Sequence, residues 1–156
     1  MGRGPGGGPG AVGDHPSLAC TFGEGALPEA MLGGVREAIV DEWKAEATYD
    51  TFSKKFGQPF PRLERAEERH ADLLAKLLSA HGHEVPSRPE AKAAEAASIS
   101  EACALSLAAE KMNVAMYDKL IAAKPAEDVR CVYAHLRMLS ADRHIPALER
   151  CAGKRQ

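Results

Sequence analysis

Two stretches of this chain step apolar residues by three and four, and in each one position of the stripe is held by a glutamate. Val35, Ile39, Ala45, Tyr49, Phe52 and Phe56 keep that step once Glu42 is counted among them. Cys103, Leu107, Val114, Tyr117 and Ile121 keep it once Glu110 is counted. Such spacing marks the buried face of a helix. Breakers cut the chain into four helical pieces. Pro28 opens the first, which runs to about Phe56 before "GQP", although Gly33 and Gly34 weaken its first turns. The second starts near Pro61 and ends at "HGHEVP", with Gly82 as a C-terminal cap. The third follows Pro89 and runs to about Ala123; the fourth runs from Pro125 to about Cys151. Aromatic residues are only 5%, β-branched residues are sparse, and Ala, Leu, Glu and Lys dominate after residue 27. The expected fold is all-α: an antiparallel four-helix bundle. The connection "HGHEVPSRPEAKA" is the longest; it becomes a crossover if the third helix begins late.

At 156 residues the chain has the length of one domain. Residues 27–152 are expected to form the bundle, residues 1–26 a Gly/Pro-rich disordered tail, and residues 153–156 a short tail. A formal net charge of −2 gives no field that draws the chain to nucleic acid or to an anionic membrane. No apolar run approaches a membrane span, and the first residues hold no signal-peptide core. The expected location is therefore cytoplasmic. Cys20, Cys103, Cys131 and Cys151 form no C-x-x-C pair, and reduced thiols are expected there.

The glutamates recur in a plan. Glu42 has Tyr49 seven residues on, and Glu110 has Tyr117 seven residues on, so each pair shares a helix face. Each of these helices is followed by one with an inward-reading histidine. "ERAEERHADLL" places Glu67 and His70 one turn apart, and His70 one turn before Leu73 and Leu74. The last helix has His144 but Ala141 at the matching position. With 15 glutamates and six histidines, a single Glu-x-x-His is weak evidence; the repeated plan strengthens it. A carboxylate inside an apolar bundle costs several kcal/mol unless it is paired or ligated. Arg137 is the only obvious inward cation. Oxygen and nitrogen donors without thiolate suit iron, manganese or zinc. His81 and His83 flank a helix end, His135 points away from His144, and His15 lies in the tail, so none joins the set. Pro146 is expected to kink the last helix just after His144.

At these residues the chain resembles the ferritin-like superfamily. "DEWKAEATY", "ERAEERH" and "AAEKMNVAMY" are similar to the first three helices of rubrerythrins. More narrowly, Asp41, Glu42, Ala45, Tyr49, Phe60, Glu67, His70, Pro86, Leu136, Ser140 and His144 resemble an uncharacterised ferritin-like domain family of bacteria and archaea. The resemblance spans about residues 27–150. It implies metal ligands at Glu42, Glu67, His70, Glu110 and His144, holding one or two ions, most readily iron, with manganese and zinc as alternatives. The sixth ligand of di-iron members is missing at Ala141, and Asp142 is rotated away from that position. Tyr49 and Tyr117 would sit behind the ligands. The implied chemistry is oxidation of Fe(II), or reduction of oxygen or peroxide, without a rubredoxin-like four-cysteine relay. The alternatives are a metal store or sensor without turnover, and a metal-free bundle acting as a structural or self-associating module. The expected partners are a metal ion and, in a homo-oligomer, further copies of the chain.

Overall fold

The computed structural model describes residues 20–92 and 94–153. Helix α1 spans Glu29–Phe56, α2 Phe60–Ala80, α3 Ile99–Ala122 and α4 Glu127–Leu139. A π-helical turn at Ser140–His144 then leads into α5, Ile145–Ala152, which completes the fourth rod. No helix among the described residues is long and apolar enough to cross a membrane. The disordered tail expected over residues 1–26 falls outside the described residues as far as residue 19, as does His15.

Helix α3 begins ten residues after Pro89, so residues 81–98 form a crossover. Helix α2 has 21 residues, a length of about 32 Å at 1.5 Å per residue. Eighteen extended residues reach up to about 60 Å, enough to run the length of the bundle. The start of the crossover is held at one end of the bundle, where His81 Nδ1 lies 2.7 Å from the Gly25 carbonyl. Farther along, Arg88 pairs with Glu46 at 3.0 Å. At the other end, Lys55 Nζ donates to the Ala96 carbonyl at 2.6 Å. The path makes α2 and α3 parallel and leaves the packed pairs α1/α2, α3/α4, α1/α3 and α2/α4 antiparallel.

Two apolar clusters fill the bundle, one toward each end. Val35, Ile39, Leu74, Leu77, Val132 and Leu136 belong to the first; Phe52, Phe60, Leu63, Cys103 and Leu148 belong to the second. The buried face of α1 matches the expected stripe apart from Ala45 and Phe56, which are half-buried. In α3 the expected stripe is rotated. Leu107, Val114 and Ile121 are only half-buried, while Ala102, Ser106 and Asn113 turn inward beside Cys103, Glu110 and Tyr117. Gly34 serves packing: a Cβ there would lie 3.0 Å from Leu120 and 3.1 Å from the Tyr133 hydroxyl.

The cysteines depart from expectation. Cys20 is bonded to Cys131 of α4, and Cys103 of α3 to Cys151 of α5. No described cysteine is free. Sequence spacing concealed these pairs, because 111 and 48 residues separate the partners. The segment before α1 is further tied down. Gly23 N–H donates to Asp128 Oδ2 at 2.9 Å, and His81 Nε2 lies 2.6 Å from the same oxygen. Leu27 N–H donates to His83 Nε2 at 2.8 Å. His81 is the C-cap of α2, and its side chain and that of His83 also tether the incoming segment. Thiol titration of the denatured, unreduced protein should find no free thiol. Breaking either disulfide should lower stability by about 2–4 kcal/mol, read from denaturant unfolding.

Candidate metal centre

The five residues expected as ligands meet between the two apolar clusters. Glu42 comes from α1, Glu67 and His70 from α2, Glu110 from α3 and His144 from the π turn. All are 5% exposed or less. Glu67 stands in the middle: its Oε2 lies 2.9 Å from His70 Nδ1, and its Oε1 lies 3.1 Å from His144 Nδ1. Glu42 Oε2 lies 3.5 Å from His70 Nδ1, and Glu110 Oε1 lies 3.2 Å from His144 Nδ1. The imidazoles stack with centroids 5.4 Å apart and planes 9° from parallel. Two groups result, Glu42–Glu67–His70 and Glu67–Glu110–His144. In each, one donor atom from every residue lies within 4.8 Å of the others.

The tyrosines cross between the halves. Tyr49 of α1 donates to Glu110 Oε1 of α3 at 2.6 Å. Tyr117 of α3 donates to Glu42 Oε1 of α1. Seven-residue spacing on two antiparallel helices makes this exchange symmetrical. Burial and the neighbouring carboxylates hold both phenols well above their ordinary pKa, so they remain donors.

Arg137, the one cation expected to compensate the carboxylates, lies elsewhere and pairs with Asp118. The imidazoles supply the positive charge instead. Burial disfavours their charged forms, but Glu67 and its neighbouring carboxylates outweigh it, raising His70 to about 9 and His144 to about 10. Burial and the Glu67 charge raise Glu42 to about 7. Burial and Glu110 push Glu67 upward, yet the two imidazoliums bring it below its ordinary range. Burial opposes ionisation of Glu110 as well, and His144 overcomes it.

Protons therefore occupy the place that cations could take. Glu42 Oε2, Glu67 Oε2, Glu110 Oε2 and both ring nitrogens of His70 are buried without a well-formed hydrogen bond. Buried oxygens and imidazole nitrogens gathered at one point, several without a well-formed hydrogen bond, form a donor set suited to a divalent transition metal.

The fourth rod is irregular where the sixth ligand was expected. The Ile145 N–H reaches back to the Ser140 carbonyl, a π-type bond that inserts a residue into the turn. Pro146 has no N–H to give Asp142 an α-helical partner, and the expected kink takes this form. Ser140 is fully buried, Ala141 half-buried and Asp142 exposed. Ser140 Oγ donates to Asn113 Oδ1 at 3.0 Å, and Asn113 Nδ2 donates to Asp41 Oδ2 at 2.8 Å. The sequence reading missed Asn113 and Ser106, although they stand three residues after and four before Glu110, on its own face. His135 is half-buried and belongs to neither donor group.

A crystal structure described as "ferritin like, diiron-carboxylate proteins" from Bacillus anthracis str. Ames superposes on this chain with a TM-score of 0.64 and 18% identity. The match covers 80% of this chain and 96% of that one. The fold is ferritin-like. No family model and no curated protein matches the sequence, so the narrower likeness to one uncharacterised ferritin-like domain family gains no support.

In metal-free protein the raised groups set a pH dependence. Proton binding by His70, His144 and Glu42 is stronger in the folded state, so its stabilisation is full at low pH and is lost as pH rises through the folded pKa values. Melting temperature should fall between about pH 6.5 and 10. A melting temperature that stays flat or rises over that range would contradict the proton-filled cluster.

Proposed function

We propose that this protein binds two divalent transition-metal ions at a buried carboxylate–histidine centre, with iron the metal the donors suit best. Glu42 and His70 would hold one ion, Glu110 and His144 the other, and Glu67 would serve both. The observation that carries the reading is the convergence of three buried carboxylates and two buried imidazoles, with donor atoms within 4.8 Å of one another in two groups that share Glu67. Three carboxylates nearly balance two divalent ions, so the ions would replace the protons that hold the metal-free cluster together. The B. anthracis protein's description as diiron-carboxylate agrees with iron.

Bound iron would supply one-electron redox chemistry, which suits oxidation of Fe(II) or reduction of oxygen or peroxide. The chain's own residues orient and insulate. Tyr49 and Tyr117 each fix one carboxylate oxygen, of Glu110 and Glu42 respectively, and the other oxygen of each would be available to an ion. The two apolar clusters exclude water from both ends of the site. The disulfides favour folding in an oxidising setting over the reducing cytoplasm expected from the sequence.

Elemental analysis after anaerobic Fe(II) loading and removal of excess metal tests the reading. Two ions per chain are expected in the wild type, about one in His70→Ala or His144→Ala, and none retained in Glu67→Ala. Substoichiometric metal unchanged by these substitutions would leave the metal-free bundle as the better account. Oxidation of Fe(II) in air at a rate above that of Glu67→Ala would mark an enzyme; stoichiometric binding at the background rate would mark a store or sensor.

A further inference from the structure

A cavity of about 450 Å³ opens between α1 and α3, bounded at one end by residues 94 and 95 of the crossover. Its walls are mainly apolar, with Ala45, Phe52, Leu105, Ala109 and Met112 among them, and it reaches Tyr49, Glu67 and Glu110 of the metal centre. Two features mark it as more than a gap in packing. Leu105 and Met112, which are 49% and 74% exposed, are two of the three large hydrophobic residues left exposed among the described residues, and both line this cavity. Ser106, 1% exposed, also lines it, and its hydroxyl has no hydrogen-bond partner. An unpaired buried hydroxyl costs about 1–3 kcal/mol, a cost that a ligand oxygen would remove.

Charge narrows the ligand class. Asp41 and Glu95 line the cavity beside a single cation, Lys44, which is exposed; Glu67 and Glu110, also on its wall, are each offset by an imidazole. An organic anion would meet this acidic wall, whereas a neutral molecule would not. We propose that the cavity binds a neutral, mainly apolar small organic molecule carrying one hydroxyl group, with that hydroxyl on Ser106 and the apolar body against Phe52, Leu105 and Met112. As a substrate site, presenting the molecule to the Glu67–Glu110 side of the centre, it rests on the metal-binding reading above; as a binding site it stands alone.

The test uses p-cresol as the neutral probe and p-toluate as its anionic counterpart, followed by chemical-shift titration of the full chain, metal-free and loaded with Zn(II). Saturable p-cresol binding with a Kd of about 1 mM or below is expected, with p-toluate at least about tenfold weaker. Ser106→Ala should weaken p-cresol about two- to tenfold. Ala109→Phe, at an exposed position on the cavity wall, should abolish binding while leaving helix content and metal stoichiometry unchanged. Non-saturable binding, or saturable binding indifferent to Ala109→Phe, would overturn the proposal. So would a dimer that buries Leu105 and Met112, dissociates in Met112→Lys and takes up no p-cresol; that result would assign the rim to a second copy of the chain. Failure of the metal reading is distinguishable, because it leaves p-cresol binding intact in a protein that retains no metal.

Discussion

Three carboxylates buried at the middle of an apolar bundle are the constraint on which this structure turns. Among the described residues, the imidazoles of His70 and His144 pair with them and carry compensating charge. Glu67 takes both, one on each oxygen, and links the two halves of the centre. The outer carboxylates would repel one another and Glu67 if they could move freely; the tyrosines prevent this. Because Tyr49 bonds Glu110 and Tyr117 bonds Glu42, α1 and α3 are locked in one antiparallel register. A slip of a single residue would break both bonds and turn both glutamates away from the interior.

Polar groups at the centre require the ends to be secure. The apolar clusters lie on either side, and covalent and polar ties reinforce each. Near the start of α1, Cys20–Cys131 and the His81–Asp128 contact hold the incoming segment. At the opposite end, Cys103–Cys151 joins α3 to α5 beside Phe52 and Phe60. Constraining the ends of the rods keeps the ligand-bearing middle in position while leaving α1 and α3 free to part around a cavity. That cavity adjoins the Glu67–Glu110 side of the centre, which makes the two halves of an otherwise repeated plan chemically unequal.

The second inequality lies in the fourth rod. Ala141, where a carboxylate was expected, is half-buried, and Ser140 beside it is buried and bonds Asn113 rather than offering a carboxylate. A hydroxyl–amide–carboxylate chain, Ser140–Asn113–Asp41, thus occupies ground beside Glu42, and the donor set stops at five residues.

Much of this was legible in the sequence for a simple reason: burying a glutamate is costly, so one standing within an apolar stripe has a task. Glu42, Glu110, their tyrosines at seven residues, and the Glu67–His70 pair were visible because helical periodicity converts spacing into facing direction. The same logic gave the four-helix class and the five residues that converge at the centre. It failed where facing direction depends on more than one ideal helix. The rotation of α3 that buries Ser106 and Asn113 belongs to its packing against α1, α4 and α5. The phase shift at Ser140 arises from a π bond that ideal spacing does not contain. The disulfides join residues that only the crossover topology brings together. Local periodicity determined which side chains the interior would receive; the meeting of distant segments decided which of them touch, and where space for a ligand remains.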